Sequence, residues 1–390
     1  MMKHPAWQSA HDVMEILEQH GHEAVIVGGA VRDYLLDKPA NDVDVATSAM
    51  PLEVKALFEK TVDVGIAHGT ILVLGFEEPI EVTTFRTEGT YTDRRRPDEV
   101  TFVRSLAEDL KRRDFTINAM ALRRSGELVD LYQGQEDLQK KIIRAVGEPY
   151  ARFSEDALRI IRGVRFVAQL GFTLEQETLI AMQKTSHYLG EIAIERVKAE
   201  WDKIFVSRAT ERAMYYMQEY NLGEAIPGTF EAYSKWQNYA AKDAKWGWTY
   251  WCILTNDFTL LQQYRCSNDE KSFVKQAKAC YDILFQHRPT KFELFQYDLK
   301  YWECACELLA LQNVTKVISY PELVKEKQDL PIQHVQEIAV TGKHLMTWMN
   351  QKGGPWLREV LDEIVKRVVN GQLENNEQTI KEWLQNEWFV

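Results

Sequence analysis

The sequence predicts an α+β chain in two parts, a head with a small mixed sheet followed by an all-α remainder. Three observations predict it. Short β-prone runs alternate with helical stretches over roughly the first 150 residues. Strand signals nearly vanish after about Pro149, and long helical patterns continue from Phe153 to the C-terminus. No internal repeat or low-complexity tract is present, which disfavours a solenoid.

The elements follow from local chemistry. Ala24–Val27 is a short β-prone run that stops at Gly28-Gly29, and Ala30–Leu36 reads as the helix after that turn. Val43–Ala46, Ile71–Leu74 and Ile80–Phe85 are further strands, the last with a clear two-residue alternation. Pro51–Phe58 reads as a helix, because proline suits a first helical turn. In the helical part, Pro227, Pro289, Pro321 and Pro331 are the expected breaks. Trp236, Trp246, Trp248 and Trp251 cluster there and are expected to pack a core rather than stack on bases.

Composition narrows the classes. At 390 residues the chain has room for two or three domains. With 45% hydrophobic and 27% charged residues it can bury real cores, so disorder is excluded. No apolar stretch approaches the roughly 18 residues of a membrane span, and MMKHPAWQSAHDV does not read as a secretory signal. Five cysteines, none in a CxxC, argue against a disulfide framework, and the cytoplasm is the default compartment. Net charge is −11, yet Arg86 to Arg165 holds 17 basic against 14 acidic residues, a local +3 that leaves −14 elsewhere. A basic segment within an acidic chain suggests a confined anionic ligand rather than indiscriminate nucleic-acid binding.

Two motifs give that ligand a chemistry. In VIVGGAVRDYLLDKPANDVDVATS a β-prone run meets a glycine pair and then a helix, so backbone N–H groups can approach a phosphate. Arg32 lies one turn into that helix and could add a formal charge. Alone, such a turn more often merely needs glycine. About ten residues on, Asp42 and Asp44 stand at i and i+2 in a strand pattern, which puts both carboxylates on one face. Adjacent carboxylates repel unless a cation sits between them, and oxygen-only ligands suit Mg²⁺ shared with substrate phosphates. Glu81 on a neighbouring strand is a plausible third carboxylate, or simply an exposed strand residue.

Farther along, Arg112-Arg113-Asp114 precedes Phe115-Thr116-Ile117-Asn118 and reads as a helix start with Asp114 as its cap. In FSEDALRIIRGVRFVAQLGF, Asp156, Arg159, Arg162 and Arg165 recur every three residues. On one helix they would sweep half its circumference, opposite an apolar side of Ile160, Ile161, Val164 and Val167. Such a spiral could line a groove or be a helix held by salt bridges. Cytosine and adenine each present an amino donor beside a ring-nitrogen acceptor, a pair that an aspartate beside an arginine complements. Uracil and guanine would set a carbonyl against the carboxylate.

GGAVRD, DVDVAT and RRDFTINAM together resemble the bacterial class of nucleotidyltransferases that add CCA to tRNA 3′ ends, which is shared with poly(A) polymerases. The pattern covers about Val25 to Ala199. The resemblance implies a polymerase-β-like head over residues 1–148, a helical neck over 149–210, a body over 211–300 and a tRNA-binding tail over 301–390. It implies catalytic metals on Asp42 and Asp44, and triphosphate contacts from Gly29 and Arg32. Arg113 and Asp114 fall in the ribose-recognising element, and Asp156 and Arg159 in the protein template, with Arg162 and Arg165 as further nucleotide contacts. DLYQGQEDLQKKIIRAVGEP resembles the hinge between head and neck, and ERVKAE the motif that buttresses the reading helix. RTEGTYTDRRRP, from Arg86 to Pro97, resembles the flexible loop of the full CCA-adding members and lacks apolar periodicity. The implied substrates are tRNA, CTP and ATP, with no membrane partner. A poly(A) polymerase and a non-catalytic RNA-binding protein are the alternatives, and whether the chain forms a homodimer stays open.

Overall fold

The computed structural model describes residues 4–40, 42–65, 68–88, 100–314 and 318–388. It opens with α1 (Pro5–Gln19), whose buried Ala6, Ala10, Val13, Met14 and Leu17 recur at three- and four-residue spacing. The predictions omitted this helix, although its pattern is plain in the sequence. Then β1 (Ala24–Val27), α2 (Gly29–Leu35), β2 (Asp44–Thr47) and α3 (Pro51–Leu57) fall within one residue of the predicted runs. β3 (Thr61–Gly65), β4 (Thr70–Val73) and β5 (Ile80–Thr84) follow.

Arg86–Glu88 is not loop but strand β6, paired antiparallel with β7 (Val100–Phe102). The remainder of the expected loop, residues 89–97, lies outside the described residues. α4 (Leu106–Lys111), β8 (Met120–Arg123), β9 (Leu128–Asp130), α5 (Gly134–Lys140) and β10 (Ile142–Ile143) complete the head.

The main sheet runs β3-β4-β5-β2-β1-β8-β9. It is mixed, because β2 is parallel to β5 while β1 pairs antiparallel with β2 and β8. Val25, Val27, Ala46 and Ala121 of its strands pack with Phe85, and with Leu106 and Leu110 of α4. That core fixes the ends of β1 and β2, from which two of the expected site elements project.

RRDFTINAM is not a helix start. Arg112 ends α4, Phe115 is extended at φ −128°, and Thr116–Asn118 forms one 3₁₀ turn before β8. The reason is burial. Phe115, Ile117, Ala119 and Met120 are all fully buried, so the segment has no solvent face on which an amphipathic helix could lie. The Thr116 hydroxyl donates to Asp137 at 2.7 Å and its N–H to the Arg144 carbonyl, which hold the turn in place.

The helical continuation holds α6 (Pro149–Glu155), α7 (Leu158–Leu170), a short β11 (Thr173–Leu174) parallel to β10, α8 (Gln176–Thr185), α9 (Ile194–Phe205) and α10 (Thr210–Glu219). The expected single helix through Asp156 is broken there. Asp156 is extended (φ −137°, ψ 101°), and its carboxylate accepts the Leu158 N–H at 3.0 Å. An aspartate competes for backbone N–H groups in this way and favours helix ends over interiors. Ile160, Ile161, Val164 and Val167 are fully buried, the apolar side the spacing predicts. The sheet-bearing part and the helices after it meet at Phe115, whose ring packs edge-on to Phe166 at 5.7 Å and lies 6.4 Å from Phe153.

Two compact units divide the chain. One holds Met1–Ala244 with Asp257–Arg265, the other Lys245–Asn256 with Cys266–Val390. In the first, Trp236 stacks on Phe205 at 5.7 Å and is buried. In the second, Asn268–Gln286 packs along Leu299–Leu311, and Trp248 and Trp251 stack at 5.8 Å within the core. Trp246 is buried as well, so all four tryptophans are core residues. All five cysteines are buried, with no disulfide among them. Among the described residues no helix is long and apolar enough to cross a membrane.

Candidate active site

Gly28 lies at the end of β1 with φ +71°, a conformation that L side chains rarely adopt. A Cβ there would also come 3.2 Å from an Arg113 nitrogen. The backbone conformation therefore calls for glycine, and a side chain would also crowd the Arg113 guanidinium. It lets the chain enter α2 at Gly29, one turn ahead of Arg32.

Asp44 begins β2, whereas Asp42 stands just outside the strand and is exposed. The two aspartates flank buried Val43, and the Asp42 charge reaches the Asp44 carboxyl. The parallel register pairing Val45 with Val82 brings Glu81 alongside Asp44. Burial raises the Asp44 carboxyl to about 6, the charges of Asp42 and Glu81 add to the rise, and Arg113 opposes it. Like charges crowding a half-buried carboxyl are what a divalent cation relieves, and all-oxygen donors fit such an ion. Among the described residues no three ligand-type side chains converge closely enough to hold a metal by themselves.

A cleft of about 490 Å³ opens beside Asp44. Seven arginines line it (Arg32, Arg112, Arg113, Arg159, Arg162, Arg165 and Arg196) against three aspartates, Asp44, Asp114 and Asp156. In a chain of net charge −11, this cleft is strongly cationic. Gly28, Gly29, Asn118 and Phe166 also line it. Of the residues expected from the sequence, Gly29, Arg32, Asp44, Arg113, Asp114, Asp156, Arg159, Arg162 and Arg165 thus meet in one place. Asp42 and Glu81 are not part of its wall.

Carboxylates hold most of these arginines. Arg32 donates to Asp33 at 2.9 Å and to the Asn118 side-chain oxygen at 2.8 Å. The Asn118 amide donates in turn to Asp114, whose other oxygen takes Arg162 at 2.6 Å. Burial alone would raise the Asp114 carboxyl. Arg162, the Phe115 N–H and the Asn118 amide outweigh it and hold the carboxyl at about 2. Asp114 is therefore a fixed anion that holds Arg162 directly and Arg32 through Asn118, not a helix cap.

Arg165 pairs with Glu200 of α9 at 2.5 Å and stacks 4.2 Å from the Phe166 ring centre. Arg32 and Arg162 approach the same ring, at 5.4 and 5.8 Å. Arg159 is buried and bridges the helix break, donating to Glu155 and to the carbonyls of Arg152 and Arg112. The Asp156 oxygens take the Leu158 N–H and, at 3.0 Å, Arg196. The four residues expected on one spiral thus occupy a break and a helix, each with its own anchor.

Sequence reasoning gave no role to Arg112, Asn118, Phe166 or Arg196. Arg112 and Asn118 sit inside the quoted RRDFTIN string, and Arg196 inside ERVKAE. Nothing local marks Phe166 as more than a core aromatic.

Comparison with known proteins agrees with this layout. A family model described as the poly A polymerase head domain matches residues 24–144. One described as a probable RNA and SrmB-binding site of polymerase A matches 171–232, and a putative tRNA nucleotidyltransferase domain 2 matches 237–384. The CCA-adding enzyme of Bacillus cereus strain G9842 is 40% identical over 97% of this chain and 98% of its own length. That of Bacillus mycoides strain KBAB4 is also 40% identical, with the same coverage. The Bacillus stearothermophilus CCA-adding enzyme, solved in complex with CTP, superposes with a TM-score of 0.89 at 36% identity, over 99% of this chain and 98% of the other. Matched to such relatives along nearly its whole length, and carrying a cationic cleft beside paired aspartates, the chain belongs to the CCA-adding enzymes, a family of nucleotidyltransferases that work with divalent metal ions.

Proposed function

We propose that this chain adds C, C and A to tRNA 3′ ends from CTP and ATP without a nucleic-acid template. The single observation that carries the reading is the convergence of Asp44, seven arginines and Asp156 in one cleft. The tRNA 3′-hydroxyl oxygen attacks the α-phosphorus, a new P–O bond forms, the bond from the α-phosphorus to the α–β bridging oxygen breaks to release pyrophosphate, and the hydroxyl proton passes to solvent. Asp42 and Asp44 would hold Mg²⁺, and an ion there would lower the pKa of the attacking hydroxyl and offset the charge of the triphosphate. The Gly28-Gly29 turn and Arg32 meet the triphosphate, and the Arg113 guanidinium stands beside that turn. No side chain of the cleft need act as a covalent nucleophile.

Base choice rests on Asp156 and Arg159. A carboxylate accepts the amino hydrogen of cytosine or adenine, and a guanidinium donates to the adjacent ring nitrogen. Such a paired contact discriminates by about 1–3 kcal/mol. Residues 1–148 then serve as the catalytic head and 149–210 as the nucleotide-reading neck. Residues 211–300 and 301–390 are assigned to body and tail, the tail gripping tRNA.

The test incubates the protein and Mg²⁺ with tRNA lacking its last three nucleotides, supplying CTP, ATP or both, and sequences the new ends. CC with CTP alone and CCA with both is the expected result. A run of A from ATP alone would make the chain a poly(A) polymerase, and no incorporation would make it a binding protein.

A further inference from the structure

We propose that Asp109 is a positioning residue that holds Arg113 toward the triphosphate end of the cleft; this rests on the reading of the cleft as a nucleotide site. Asp109 sits on α4 and is 1% exposed. One carboxylate oxygen accepts from Arg112 at 2.7 and 3.0 Å. The other accepts from Arg113 at 3.0 and 3.3 Å. The Arg86 N–H also points at Asp109, at 3.4 Å.

The geometry divides the Arg113 guanidinium into two working ends. Nε and Nη2 face Asp109, and Nη1 faces the Asn118 carbonyl at 3.4 Å and the Gly28 backbone. A fork held on one edge by a buried carboxylate keeps a fixed direction, because both donors must stay aligned. Two guanidiniums share a single buried carboxylate, so the cluster keeps a net positive charge beside the glycine turn. Without the carboxylate the two cations would repel and Arg113 would lose its anchor. Asp109 cannot itself reach substrate from its buried position, so any effect on nucleotide must pass through the arginines.

The experiment measures CTP affinity by calorimetry and steady-state CCA addition for wild type, Asp109→Asn, Asp109→Glu, Arg113→Ala and the Asp109→Asn/Arg113→Ala double variant. Asp109→Asn is expected to weaken CTP binding and raise KM for CTP and ATP roughly tenfold, while kcat changes less than about threefold and the preference for C and A is unchanged. Asp109→Glu keeps the charge and moves it by one methylene, so it should fold and show an intermediate loss. In the Arg113→Ala background, Asp109→Asn should add nothing further. CTP affinity equal to wild type in both single Asp109 variants overturns the proposal. So do losses that multiply in the double variant, because Asp109 then acts independently of Arg113. If wild type binds CTP yet adds nothing to tRNA, the proposed function fails while the binding series still decides the role of Asp109.

Discussion

Arg196 of α9 donates to Asp156 at 3.0 Å, tying the carboxylate expected to read the base to a helix forty residues away in the chain. The other oxygen of Asp156 takes the Leu158 N–H. Asp156 is thus held from two directions, the preorganisation that the proposed reading of bases by hydrogen bonding requires.

Removing either partner should therefore relax selectivity more than it slows chemistry. Asp156→Ala is expected to lose most of the preference for C and A over U and G, roughly 5- to 150-fold from a contact of about 1–3 kcal/mol. Arg196→Met should cause a smaller loss in the same direction. Competition assays with all four nucleotides measure it, and unchanged selectivity in both variants would contradict the template assignment.

Asp42→Ala or Asp44→Ala should cut incorporation by roughly a thousandfold or more, since metal-assisted charge stabilisation is worth several kcal/mol. tRNA binding, measured by filter retention, should remain near wild type. Normal turnover by either variant would remove the metal assignment.

The Asp114 carboxyl is held at about 2 against an ordinary value near 3.8. Its folded pKa is depressed, so the stability it contributes is fully present above about pH 4 and disappears as pH falls toward 2. The size is on the order of 2 kcal/mol. Urea unfolding of Asp114→Asn beside wild type should show a constant deficit from pH 5 to 8 that narrows below pH 4. A deficit that grew on acidification would have the wrong sign.

Gly134 opens α5 with no room for a side chain. A Cβ there would lie 2.3 Å from the Thr116 carbonyl oxygen and 2.9 Å from Met120. Because the nearest atom is backbone, it cannot swing aside, and Gly134→Ala should cost roughly 1–3 kcal/mol. Thermal unfolding tests this; an unchanged midpoint would mean the turn at Thr116 is looser than described.

The sheet was legible where strands are dense β-prone runs: β1, β4 and β5 lie beside glycine or proline, and β2 carries the Asp-Val-Asp-Val alternation. β8 was not, since its residues read as the continuation of a helix opening at Asp114 until the burial of Phe115 and Ile117 is known. The site was legible where chemistry lies close in the chain, as in Gly28-Gly29-x-x-Arg32 and Asp42-x-Asp44. Arg196, Phe166 and Asp109 escaped because their relevance depends on what faces them across space.

Short strings, read alone, determined the family resemblance, the α+β division near Pro149, and which residue types carry the chemistry. Only the tertiary structure decided which carboxylate holds which arginine: Glu200 for Arg165, Asp114 for Arg162, Glu155 for Arg159. It also decided that Asp44 ionises reluctantly while Asp114 stays charged. The physical reason is that the free energy of a buried charge depends on distance and on exclusion of water, and neither follows from separation along the chain.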